Sequence, residues 1–256
     1  MTLSSQFKLI LLTPIFILIT HYLVVFAHEY AHSFTAWMLG FMPNPLMIDY
    51  GGTSWLNLLL LANIDENVNY PIIFSQGHNL SAALIAFAGP GLGVGILYIL
   101  SLILLKNKSI TRSTMLYYFL FWFNFMAVAT FYTYVPIRTF SPRGDIANIV
   151  HGTQISPWYI YIILGYLVFY ILWHFFAQTL ISAYSHLNLT TTSARASLLI
   201  INVLLMFGYF GLFGFMSTDP ISRFLSGTSL AVIPIIIIAC WPTRAWVIHQ
   251  LQKQKM

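Results

Sequence analysis

Six runs of this chain are long enough to cross a bilayer and almost free of charge, and they restrict the fold before any motif is read. Lipid offers no partner for backbone N–H and C=O groups, so a chain that crosses it must do so as helices or as a closed barrel. A spanning helix takes about 20 mostly apolar residues. The runs cover residues 7–27, 80–105, 114–135, 158–184, 196–216 and 229–247. The first continues in helical pattern through His32 toward residue 39. Only 7% of the residues are charged, against about a quarter in soluble domains. The expectation is an all-α polytopic membrane protein of about six transmembrane helices. The first run is too long for the apolar region of a signal peptide, and no small-residue cleavage site follows it.

The positive charges suggest an orientation. With the N-terminus in the cytoplasm, Lys8, Lys106, Lys108, Arg112, Arg195, Arg244, Lys253 and Lys255 fall inside, while Arg138, Arg143 and Arg223 fall outside. This bias favours cytoplasmic N- and C-termini. It also accounts for the net charge of +5 without nucleic acid as a partner. The longest break between apolar runs, residues 43–79, carries Asp49, Asp65 and Glu66 but no Lys or Arg. Pro43-Asn44-Pro45 stops the first helix and Tyr50-Gly51-Gly52-Thr53 marks a turn. The expected form is a partly embedded re-entrant loop or short hairpin, with a strand near Ile72 to Phe74.

Near the outer end of the first run stands His28-Glu29-Tyr30-Ala31-His32. Helical residues four apart share a face, so His28 and His32 can grip one metal ion, with Glu29 beside them to take a proton from water. Chance packing is the plainer reading of two histidines and a glutamate. Yet the chain has only two glutamates, Glu29 and Glu66, and ionisable groups at membrane depth mark functional sites. Cys240 is the one cysteine, which excludes a disulfide framework and a cysteine-built zinc site.

A catalytic zinc takes about three protein ligands and leaves one position open. The candidates for the third are Asp145, Asp49, Asp65, Glu66, His78 and His151, all in segments on the same side as the end of the first helix. His21, His174, His186 and His249 fall at other levels. For Asp145 the plainer roles are the cap of a short helix over Ile146 to Val150, or a partner to Arg138 or Arg143. His78 reads as a solvated loop residue. Gly89-Pro90-Gly91-Leu92-Gly93 reads as a small-residue packing surface.

Three segments, in order, resemble the site-2 protease group of intramembrane zinc metalloproteases, peptidase family M50. They are His28 to His32, Phe87-Ala88-Gly89-Pro90-Gly91-Leu92-Gly93, and Tyr134-Val135-Pro136 through Gly144-Asp145. The match covers roughly residues 9–149. Thr133 stands where the family usually has Asn, and Gly144-Asp145 reverses the usual order. The resemblance implies a catalytic membrane core in residues 1–150, with three additional helices in 151–256. It implies Zn²⁺ on His28, His32 and Asp145, with Glu29 activating a zinc-bound water to cleave a membrane-protein substrate. On that reading the stretch from Ile72 to Asn79 would pair with substrate as an edge strand, and Asn79 or His78 would steady the oxyanion. Two other classes suit the same residues: a membrane metal transporter or sensor, and a zinc hydrolase of a lipid or other non-peptide amide.

Overall fold

The computed structural model describes the chain from Leu3 to Lys253, with side chains from Leu9 onward. Lys255 therefore lies outside the described residues, as does the side chain of Lys8. Among the described residues, six helices are long and apolar enough to cross a membrane. They are α1 (Leu3–Met38), α4 (Asn79–Leu105), α5 (Thr114–Ile137), α7 (Pro157–His186), α8 (Thr192–Met216) and α9 (Pro220–Ala239). Four shorter helices complete the set used below: α2 (Trp55–Leu60), α3 (Tyr70–Ser75), α6 (Asp145–Thr153) and α10 (Ala245–Lys253).

The protein is an all-α multi-pass membrane protein built around α5. Two thirds (67%) of its apolar window is buried, against 17–28% for α1, α4, α7 and α9. Those outer helices expose apolar side chains, as lipid-facing helices must. Lipid tails are as apolar as leucine, so helices in a bilayer are held by close packing and by polar clips. The central helix supplies a clip or a ring contact to each neighbour. Tyr118 meets Thr13 of α1 at 2.6 Å. Asn124 donates to Ser101 of α4 at 2.8 Å. The rings of Phe121 and Phe175 of α7 lie 5.7 Å apart. The Thr133 hydroxyl donates to the Phe210 carbonyl of α8 at 3.3 Å, and Tyr132 donates to Ser229 of α9 at 2.7 Å.

Five of the six expected spans agree with the observed ones to within a few residues. The sixth begins at Pro220 and ends at Ala239, instead of covering 229–247. Asp219 caps it by accepting from the Ser222 amide at 2.8 Å, and Pro220 fills its first turn. The serines that make 220–228 look polar turn inward. Ser226 donates to the Gly211 carbonyl at 2.6 Å and Ser229 to that of Phe207 at 2.7 Å. Trp241-Pro242 breaks the chain, and α10 is a separate amphipathic helix.

The segment after α1 re-enters alongside it. The Leu60 carbonyl lies 2.9 Å from His21 Nε2, and the Tyr22 hydroxyl donates to the Leu58 carbonyl. Both anchors stand about two turns below His28 on α1. Trp55, Leu56 and Leu59 of α2 remain exposed. Backbone folded back at this depth needs internal partners, and Asn57, only 2% exposed, provides them. Its side chain donates to the Tyr50 and Gly52 carbonyls and accepts from the Asn63 amide. The strand expected near Ile72 is instead helix α3, capped by the Asn69 side chain with Pro71 in its first turn. Among the described residues the only β-pairing is the isolated bridge between Asp49 and Asp65.

Asn57→Ala strands three backbone groups, each costing about 1–3 kcal/mol when buried unpaired. The expected result is faster protease cleavage within residues 50–63 in nanodiscs, with the six-span fold retained.

Candidate metal centre

The metal-ligand candidates come together because α4 approaches α1 without a side chain in between. The helix α4 widens into a π-helical turn at Ala88–Val94, which contains Pro90. Such turns cluster at functional sites. A Cβ on Gly89 would overlap His32 Nε2 and sit 2.8 Å from His28 Cε1. A Cβ on Gly93 would stand 2.6 Å from the Ala27 carbonyl oxygen. The glycines that read as a packing surface therefore do pack tightly, and they do so against the His28–His32 turn itself.

His32 is completely buried and His28 nearly so. His32 Nδ1 lies 2.6 Å from the Ile85 carbonyl of α4. A carbonyl can only accept, so Nδ1 carries the proton and Nε2 keeps its lone pair. This is the usual outer partner of a metal-binding histidine.

The third ligand candidate arrives from α6. Gly144, with φ +94°, turns the chain at the N-cap position, and Asp145 opens the helix. Asp145 is thus the first helical residue rather than the cap, and its carboxylate points to the histidines rather than to the helix end. Its Oδ2 lies 3.0 Å from His28 Nε2 and 3.4 Å from His32 Nε2. The two Nε2 atoms are 3.1 Å apart. The helix α6 is pressed onto α4 at Gly152, where a Cβ would meet Ala83 Cβ at 2.7 Å.

Three buried ligand atoms thus converge on one point. For a tetrahedral zinc with bonds of about 2.0–2.1 Å, ligand atoms stand about 3.3–3.4 Å apart. The observed spacings of 3.0, 3.1 and 3.4 Å match the edges of such a polyhedron, slightly contracted. Asp145 Oδ2 is buried without a hydrogen-bond donor, an arrangement a cation would satisfy. His28, His32 and Asp145 could hold a metal ion.

The other sequence candidates are placed elsewhere. Among the described residues, no other His, Asp or Glu joins this ligand group. Asp49 and Asp65 are exposed and accept from the Gly51 and Asn67 amides. His78 is exposed and packs edge-on against Phe41, 5.2 Å between ring centres. His151 is exposed on α6 and faces Phe74 at 4.3 Å. Asn79 opens α4 six residues before Ile85, about 9 Å of helical rise away. Neither Asn79 nor His78 reaches the cluster, and the helical turn of α3 leaves no edge strand for substrate at Ile72.

Two residues join the site in roles the sequence did not assign them. Glu66, 9% exposed, does not join the His28–His32–Asp145 group; its carboxyl interacts with that of Glu29. Its backbone carbonyl accepts from Ser33 at 2.9 Å, which ties the re-entrant loop to α1 one residue past His32. Burial and then Glu66 push the Tyr70 phenol upward. The other is Tyr134, whose hydroxyl stands 3.0 Å from His28 Nε2. It lies in a π-helical turn, Thr133–Ile137, around Pro136. Thr133 bonds the Ala129 and Phe210 carbonyls and so is used in packing. The signal for Tyr134 was present in the quoted Tyr134-Val135-Pro136 segment, but a tyrosine among fifteen carries little weight without its partners.

Searches of protein-family models, curated proteins and solved structures find no match to the chain.

Replacing His28 or Asp145 by Ala removes one of three ligands. Each variant is expected to lose bound metal, read by elemental analysis of protein purified in detergent. Gly89→Ala is expected to lose metal as well while keeping its helix content by circular dichroism, because the added methyl displaces His32 rather than a helix.

Proposed function

We propose that this protein is an intramembrane zinc-dependent endopeptidase that cuts membrane-spanning substrates. The observation that carries the reading is the convergence of His28, His32 and Asp145 on one point with Glu29 on the same helix turn. The donor set of two imidazoles and a carboxylate suits zinc and leaves a position open. When bound, the metal supplies a Lewis acid that polarises a carbonyl and makes a water more acidic.

The chain's own residues do the rest. His28 and His32 hold their Nε2 lone pairs inward, and Asp145 supplies the negative charge that a dication needs at this depth. Glu29 takes one proton from the attacking water and returns it to the leaving nitrogen, so the carboxylate is regenerated. Glu66 beside it restricts the orientations open to Glu29. His28 and His32 lie within the span Leu9–Met38, so a helical substrate must locally unwind to offer a carbonyl. The excess of Lys and Arg on one set of loops supports cytoplasmic termini, with the site toward the outer face. The match of three motifs in family order supports a site-2 protease-like core.

Glu29→Gln preserves shape but cannot accept the proton. The variant is expected to bind zinc at wild-type stoichiometry and to lose proteolysis of a reconstituted transmembrane substrate by a factor of about 10²–10⁴. Full activity in Glu29→Gln would overturn the reading. Zinc flux through proteoliposomes that persists in Glu29→Gln would point to a transporter, and cleavage of a lipid amide but no peptide would point to a non-peptide hydrolase.

A further inference from the structure

We propose that Tyr134 is a catalytic residue of this site, donating its hydroxyl proton in a hydrogen bond to the oxyanion of the carbonyl under attack. The assignment rests on the endopeptidase reading above and adds to it the group that stabilises the developing negative charge.

The argument begins with position. The Tyr134 oxygen is 3.0 Å from His28 Nε2. That same nitrogen is 3.0 Å from Asp145 Oδ2 and 3.1 Å from His32 Nε2. The phenol thus stands at the spacing of a ligand edge from the nitrogen that itself borders both other ligand atoms. Asp145 Oδ2 and the His32 Nε2 lone pair can only accept. Tyr134 brings a neutral O–H donor to the same point.

The ring is held from two sides. It stacks on His28 with centroids 4.9 Å apart and planes at 28°. The Arg138 guanidinium carbon lies 5.4 Å from its centroid. Arg138 reaches that place because Gly144 has no side chain; a Cβ there would sit 2.9 Å from Arg138 Nη2. A guanidinium over the ring adds positive charge near the point where negative charge develops. A donor fixed in advance, in a site shielded from water, is the arrangement that stabilises an oxyanion most. The π-helical turn at Thr133–Ile137 directs the side chain there: Thr133 faces α8, and the next residue faces His28.

A tyrosine in this place has two other roles open to it, a fourth ligand or a packing ring, and one substitution separates all three. In Tyr134→Phe the ring stays and the hydroxyl goes. The variant is expected to keep wild-type zinc stoichiometry and KM while kcat falls by about 10²-fold, the usual effect of removing one oxyanion donor. In parallel, the Co²⁺-loaded protein is titrated with acetohydroxamate and followed by visible absorption. The affinity of this oxyanion probe is expected to weaken about tenfold or more in Tyr134→Phe, since hydrogen bonds to charged groups carry about 1.5–3 kcal/mol. Unchanged kcat and unchanged hydroxamate affinity would overturn the assignment and leave a packing ring. Loss of zinc would overturn it in favour of a ligand. If the wild-type protein cleaves no peptide at all, the endopeptidase reading fails, while the hydroxamate titration still decides whether Tyr134 donates to an oxyanion in the site.

Discussion

The contact between the π-helical turn of α4 and the His28–His32 turn of α1 is the constraint on which the rest of the site depends. A Cβ at Gly89 would occupy the space of His32 Nε2. That closeness brings the Ile85 carbonyl within 2.6 Å of His32 Nδ1 and so selects the tautomer that leaves Nε2 free. It also positions α6, because α6 lies on α4 at Gly152 and carries Asp145 at its first residue. Three candidate ligands from two distant segments therefore meet through one intermediary helix that contributes none of its own.

Much of this was legible in the sequence, and the residues show why. The pattern of His28, Glu29 and His32 is local: helical periodicity alone puts the histidines on one face. The six spans are legible because twenty apolar residues in a row have few other uses. Asp145 was legible only as one of several candidates, since its role depends on a turn at Gly144 and on helix packing across more than 100 residues. The misread parts share a cause. Ile72 to Phe74 is an apolar triplet, and such short runs fit a strand or a helix turn equally; Asn69 and Pro71 decided for helix. Residues 220–228 looked too polar to span, because a serine bonded to a facing carbonyl cannot be told from a serine in water until the partner helix is known. The roles of Glu66 and Tyr134 depend in the same way on partners distant in the chain.

The re-entrant loop adds a second kind of support. It returns along α1 to His21 and Tyr22, and Asn57 satisfies its backbone there. Farther along, the Glu66 carbonyl takes the Ser33 hydroxyl and the Glu66 carboxyl meets Glu29. The loop thus wraps the face of α1 that carries Glu29, while α4 and α6 cover the face that carries the histidines. Low dielectric around the ligand cluster strengthens every charge interaction within it, and such walls are needed for a carboxylate and a dication to persist at membrane depth.

Of the three spanning helices after α6, α8 and α9 are tied to the site. In one π-helical turn of α5, Thr133 bonds the Phe210 carbonyl of α8 and Tyr134 contacts His28. One residue earlier, Tyr132 donates to Ser229 of α9, which itself donates to the Phe207 carbonyl of α8. Three consecutive side chains of α5 thus tie α8 and α9 to the ligand cluster through a single stretch of backbone. A shift of α8 or α9 along α5 would strain the turn that aims Tyr134, because a packed interface rearranges between discrete states rather than deforming smoothly. Pro136 lies within that turn and lacks an N–H, so one backbone donor is missing there. The helices α8 and α9 thereby gain a physical means of setting where the phenol points.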